Sequence, residues 1–158
     1  MKILVGLAVL LGALSPVPLS GQASGPSGDA ARPAGLTEWQ PVKLTPGVFF
    51  MPLLGEGTKP GAYVYRVRAP NGFRVPPHWH TKTMHLTVLT GTLIIVMGES
   101  LDSNRAQRYT AGSFLVAPAG MRHDEWFEGE TVVHVETQGP IETMFVDPRD
   151  DPRNRAQP

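Results

Sequence analysis

The chain of 158 residues contains no cysteine. No disulfide can therefore form, and attachment of a lipid to an N-terminal cysteine is excluded. The domain must be stabilised by its own hydrophobic core. With 41% hydrophobic residues, the chain is long enough for one such domain.

The sequence also lacks a net charge. Its 14 lysine and arginine residues balance 14 aspartate and glutamate residues, and the pI is near 7.0. No block of like charge indicates nucleic-acid binding, and the balance gives no long-range field that would attract an ionic partner. A small neutral or weakly charged ligand fits this composition better.

Long hydrophobic runs are missing except at the N-terminus. Lys2 precedes an apolar run from Ile3 to Leu14, and small residues follow. This pattern is typical of a secretory signal peptide over residues 1–23, cleaved before Ser24. The run is short for a membrane span, although an uncleaved N-terminal anchor stays open as an alternative. We expect a periplasmic or secreted protein that does not associate with the membrane after cleavage.

Helical periodicity is hard to find after the signal, because 16 prolines and 17 glycines are spread along the chain. Residues 24–37 are mostly Gly, Pro, Ser and Ala and are predicted to be a disordered linker. Residues 149–158 form a charged C-terminal tail, which we expect to cover the surface or fray. The folded domain is therefore predicted to cover residues 38–148.

Within this domain, short apolar segments alternate with Gly, Pro and Asn. A tight turn is predicted at residues 90–92, where Gly91 can take a positive φ. Strands at this spacing, rich in Val, Thr and aromatic residues, predict an all-β sandwich or barrel. The predicted strands are Val48 to Leu54, Ala62 to Ala69, Phe73 to His78, His85 to Thr90, Leu93 to Met97, Gln107 to Tyr109, Ser113 to Ala117, Asp124 to Phe127, Thr131 to Gln138 and Glu142 to Val146.

Two histidines, His78 and His80, stand two residues apart in one of these strands. Side chains at i and i+2 of an extended chain point to the same face, so both imidazoles can bind one metal ion. Imidazole is the side chain that most often binds divalent transition metals. A third ligand must come from elsewhere, and His123 can supply it.

The spacing of Gly72, His78, His80, Met84 and Gly91 resembles the first motif of the cupin family. A second stretch, in which Gly112, Pro118, Gly120, His123 and Phe127 recur at the expected intervals, resembles the second cupin motif.

The resemblance to small single-domain bacterial cupins implies a jelly-roll barrel, a double-stranded β-helix, with a metal in its mouth. It also implies a homodimer. The ligands would be His78, His80 and His123, and the usual fourth ligand is a glutamate. This chain has Met84 at that position, and a thioether is a weak, neutral ligand.

Two alternatives for the missing carboxylate are open. His85 could replace it, but the spacing to Gly91 and strand alternation favour Met84. On the strand from Thr131 to Gln138, His134 and Glu136 share one face. If this face points into the barrel, Glu136 could take the place of the missing carboxylate near the metal, and Glu136 or His134 would carry protons at the site. Otherwise the row faces solvent.

Three functions are compatible with these residues. The first is a metal-dependent dioxygenase, isomerase or lyase that acts on a small organic molecule through one divalent ion of Fe, Cu, Zn, Mn or Ni. The second is a non-catalytic periplasmic protein that binds a metal or a small ligand. The third is a barrel that has lost its metal.

Overall fold

Nine strands and three short 3₁₀ turns make up the regular structure in the computed structural model, which describes residues 38–42, 45 and 47–154. The predicted signal peptide and linker lie outside the described residues, as do residues 155–158 of the tail. All described residues belong to one compact unit, Arg32–Pro158. The strands are β1 (Gln40–Pro41), β2 (Phe49–Leu54), β3 (Gly61–Ala69), β4 (Arg74–His80), β5 (Met84–Met97), β6 (Gln107–Thr110), β7 (Phe114–Ala117), β8 (His123–Gly139) and β9 (Thr143–Phe145).

The long strand β8 organises the sheet, in which all strand pairs are antiparallel. Along one edge β8 pairs with β5 over nearly its whole length. Along the other edge its first part pairs with β4 and its last part with β3. The strands β6 and β7 pair with the two ends of β5, and β9 pairs with β4. The sequence prediction of an all-β domain is confirmed.

The core lies on the inner faces of β3, β5, β7 and β8. Val88 and Leu93 of β5 are completely buried, and Val133 and Val135 of β8 pack in the same cluster with Phe127. Full burial of a side chain of this size stabilises the fold by about 1.5–3 kcal/mol. Within the described residues, no helix is long and apolar enough to span a membrane.

The structure corrects the turn predicted at residues 90–92. The strand β5 runs through this point without reversing, and its register with β8 shifts there, which is a β-bulge. Gly91 has φ +69°, and a Cβ atom there would lie 2.3 Å from Thr131 Oγ1 and 2.7 Å from the Glu130 carbonyl oxygen. The glycine is thus needed for both its conformation and its lack of a side chain.

The segment that follows β9 folds back over the domain. It forms two 3₁₀ turns, Pro148–Asp150 and Pro152–Asn154. The buried carboxylate of Asp151 accepts hydrogen bonds from the Arg153 guanidinium, which also donates to the Thr143 carbonyl oxygen at 3.0 Å. The described part of the predicted tail is therefore fixed to β9 rather than frayed.

Candidate metal centre

Three imidazoles converge at the ends of β4 and β8. His78 and His80 lie on the same face of β4, and His123, the first residue of β8, is the register partner of His78. Each ring offers one nitrogen such that the three atoms lie within 4.8 Å of one another. This is the grouping that the sequence predicted, and it suits a shared transition metal.

Hydrogen bonds at Nδ1 orient each ring. His78 Nδ1 lies 2.8 Å from the Pro76 carbonyl oxygen, and His123 Nδ1 lies 3.0 Å from the Met121 carbonyl oxygen. Because a carbonyl oxygen can only accept, these two Nδ1 atoms donate and carry the ring proton. In the neutral ring, the lone pair is then on Nε2, as a metal ligand requires.

The third ring is held by a side chain. His80 Nδ1 lies 3.1 Å from the Thr143 hydroxyl oxygen, on the neighbouring strand β9. A hydroxyl group can donate or accept, so it stabilises either tautomer of this ring. All three imidazoles are thus positioned through Nδ1.

One buried nitrogen of this histidine cluster has no partner in the described part of the chain. His123 Nε2 is buried and makes no hydrogen bond with the described residues. A buried polar atom of this kind costs free energy unless a ligand satisfies it. A metal ion beside His78 and His80 would do so, and the donor set therefore fits the metal that the sequence predicted.

The local environment keeps the rings of His78 and His80 neutral near pH 7. Burial, and next to it the proximity of His123, lowers the pKa of His78 to about 4. Burial, followed by the proximity of His78 and His123, lowers the pKa of His80 to about 3. A neutral imidazole binds a metal without first losing a proton.

A cavity of about 360 Å³ is lined in part by His78 and His80 of this cluster. This volume is suitable for a small organic molecule. Most of its lining is apolar, and Asp150 and Pro152 of the C-terminal segment also border it. The apolar side chains that line it are Val48, Val67, Ala69, Phe73, Val75, Leu86, Leu93, Phe127, Val133, Val135 and Phe145.

Met84 lies inside the barrel and His85 outside. Met84 is buried and lines the cavity, where its Sδ accepts a hydrogen bond from the Tyr65 hydroxyl at 3.7 Å. His85 is exposed and stacks on Phe114 on the outer face. The alternative in which His85 replaces the cupin glutamate therefore does not fit the structure. A bond from Met84 to the metal stays a prediction.

The structure corrects the assignment of His134 and Glu136 as proton carriers. On this part of β8 the buried residues are Val133, Val135 and Thr137, so His134 and Glu136 point to the outer face. There, His134 Nε2 lies 3.3 Å from the Glu136 carboxylate, whose side chain is 62% exposed. The apolar side chains of Val133 and Val135 lie on the inner face because they form part of the core.

Several polar residues of the cavity were not identified from the sequence, and three of them bear on the site. Glu125 and Tyr65 line it together with the positioning residue Thr143. Burial raises the pKa of Glu125, against a smaller lowering by His123. Burial also raises the pKa of Tyr65, so its hydroxyl stays protonated. The signal for Glu125 was present, because a residue two positions after His123 on a strand shares its face.

Comparisons with solved structures find the same architecture in cupins. An RmlC-like cupin from Ralstonia eutropha JMP134 gives a TM-score of 0.57 at 22% identity, covering 75% of this chain and 72% of that chain. KdgF from a Halomonas species gives 0.51 at 19% identity, covering 63% and 86%. Salicylate 1,2-dioxygenase from Pseudaminobacter salicylatoxidans gives 0.54 at 16% identity, covering 66% and 32%. These similarities confirm the predicted jelly-roll cupin barrel.

At the sequence level, no curated protein matches this chain. A family model described as the ChrR cupin-like domain matches residues 28–142. The match includes both motifs and all three histidines of the cluster. The chain therefore belongs to the ChrR cupin-like family.

Proposed function

We propose that this protein is an exported, metal-dependent cupin that binds one divalent transition metal and acts on a small organic molecule in the adjoining cavity. The ligands would be His78, His80 and His123. The observation that carries this proposal is the convergence of the three imidazoles, in which the buried Nε2 of His123 has no partner within the described residues.

The ligand set suits Fe, Cu, Zn, Mn or Ni, because neutral imidazole binds all of these divalent ions. When bound, such a metal supplies Lewis acidity and open coordination positions for substrate and for O2 or water. The usual cupin carboxylate is replaced by Met84, so the ligands carry one negative charge fewer. This should make the metal a stronger Lewis acid.

The protein's own contribution is positioning and exclusion of water. The Nδ1 hydrogen bonds of the three rings fix their direction before a metal arrives. The apolar lining keeps bulk water from a substrate beside them. Oxygenation, isomerisation or lyase chemistry is compatible with this site, and the fold shared with a salicylate dioxygenase makes oxygenation a reasonable first test.

Metal analysis of the purified protein tests the proposal. We expect about one transition metal ion per wild-type chain and loss of most of it in His123→Ala, since two ligands seldom hold a metal tightly. His85→Ala is the matched control, because His85 lies on the outer face, and it should keep the metal. A wild-type protein that takes up no stoichiometric metal would refute the proposal.

Oxygen consumption and product analysis then separate an enzyme from a binding protein. The metal-loaded protein would be offered diketones, thiols and phenols, with His123→Ala as the blank. Turnover that depends on His123 supports an enzyme. Stoichiometric metal without turnover of any compound would favour the non-catalytic binding protein.

A further inference from the structure

Glu125 is the acidic residue of β8 whose side chain lines the cavity beside the three histidines. It lies between His123 and Phe127 at two-residue steps, so the three side chains share the inner face of the strand. Its register partners are Val75 of β4 and Ile95 of β5. The carboxylate thus lies among apolar side chains and faces the cavity.

Among the described residues the Glu125 carboxylate makes no hydrogen bond or salt bridge, although His123 lies close enough to favour its charged form. The acidic residues with buried side chains do have partners, since Asp124 pairs with Arg74 and Asp151 with Arg153. Glu125 is half-buried, and a carboxylate that faces an apolar cavity without such a partner is available to accept a hydrogen bond from a ligand.

The surroundings define what that ligand can be. The Tyr65 hydroxyl already donates a hydrogen bond to Met84 Sδ. Arg74 also borders the cavity, but its guanidinium is held by the buried Asp124 carboxylate. Asp150 adds a second acidic group at the border. A hydrogen-bond donor on the ligand would satisfy Glu125, whereas a carboxylate on the ligand would be repelled by it.

We propose that Glu125 is a specificity-determining residue that accepts a hydrogen bond from a hydroxyl or amino group of the substrate. The substrate would be a small, largely apolar molecule that offers an oxygen donor to the metal at one end and this O–H or N–H group at the other. The inference rests on the proposed function, since the oxygen end requires the metal. A Glu125 carboxylate in this role would favour the binding of phenols, enols and amino alcohols over carboxylic acids.

Binding measurements with the zinc-loaded protein test this proposal. Calorimetric titrations without oxygen would compare hydroquinone with 4-methoxyphenol, which is the same ring with one donor removed. A hydrogen bond to a charged acceptor predicts about tenfold tighter binding of hydroquinone. Glu125→Leu should abolish this preference and leave the zinc content unchanged. Glu136→Gln, on the outer face of the same strand, is the matched control and should keep it.

Two further measurements test the proposal: the melting temperature of a Glu125 variant, and the binding of a probe that carries a carboxylate. Because Glu125 is half-buried and has no salt-bridge partner among the described residues, Glu125→Gln should leave the melting temperature equal or higher. Salicylate should bind more weakly than hydroquinone. Equal binding of the two neutral probes, no binding of hydroquinone, tighter binding of salicylate, or a lower melting temperature would each overturn the proposal. Failure of the wild type to bind zinc would instead refute the proposed function.

Discussion

At the scale of single residues, the candidate centre depends on the group that is hydrogen-bonded to Nδ1 of each imidazole. Two rings are oriented by backbone carbonyl groups, which no side-chain substitution can remove. The third, His80, depends on the Thr143 hydroxyl. Among the groups that orient the three rings, Thr143 is therefore the one that a side-chain substitution can remove.

Thr143→Val should weaken metal binding while leaving the fold intact. Valine has nearly the same shape and favours strands, but it leaves Nδ1 of His80 without a partner. Loss of such a supporting hydrogen bond typically lowers metal affinity by about 10- to 100-fold. Competition with a zinc chelator measures the change. Thr87→Val, on the outer face of β5, is the control. Equal affinities in both variants would contradict the prediction.

The residues that sequence reasoning identified and missed differ in a physical way. His78, His80 and His123 could be predicted because strand alternation and motif spacing place them together without knowledge of the sheet. The inner or outer direction of His134 and Glu136 could not be predicted, because alternation groups residues but does not say which group is buried. Tyr65 was missed since it reaches the cavity from a distant strand with no motif.

At the scale of elements, the bulge at Gly91 allows the single strand β5 to take part in two different strand pairings. Before Gly91 the strand pairs with β7, and after it with β6, while β8 follows it throughout. The sequence predicted two strands with a turn, because a glycine between two apolar segments is compatible with either a turn or a bulge. Only the pairing with β8 distinguishes them.

Gly91→Ala should destabilise the protein strongly. The added Cβ would meet the Thr131 hydroxyl and the Glu130 carbonyl, and alanine is strained at positive φ. We expect a loss of about 2–4 kcal/mol in the free energy of unfolding, measured with urea. Gly112→Ala is the matched control, because Gly112 also has positive φ but open space around it. A similar loss in both variants would show that the contact with Thr131 is unimportant.

At the scale of the whole molecule, the all-β architecture could be predicted from the spacing of strands and turns. Most predicted strands agree with those in the structure to within a few residues, because apolar segments bounded by Gly and Pro have few other solutions. The sequence left open whether the C-terminal tail covers the surface or frays, and in the structure residues 148–154 fold back over the domain. The order of this segment depends on the pairing of Asp151 with Arg153, which no periodicity signals. The homodimer stays a prediction.

A further prediction concerns the full chain, including its N-terminal segment: we expect the protein to be exported. Expressed in a Gram-negative host, the protein should be found in the periplasmic fraction, with Ser24 as its first residue. N-terminal sequencing and cell fractionation measure this. Replacement of several leucines between Ile3 and Leu14 by polar residues should retain the precursor in the cytoplasm, because signal recognition requires the apolar run. A protein that keeps Met1 in the cytoplasm would contradict the prediction.

The position of the C-terminal segment has a practical consequence for preparing the protein. Because Asp150 and Pro152 border the cavity, anything fused shortly after Asn154 starts near the proposed site. A polyhistidine tag placed there would bring extra imidazoles into competition for the same ion and could block entry of organic molecules. With a removable tag that has no metal affinity, the measured metal content would not include ions bound by the tag.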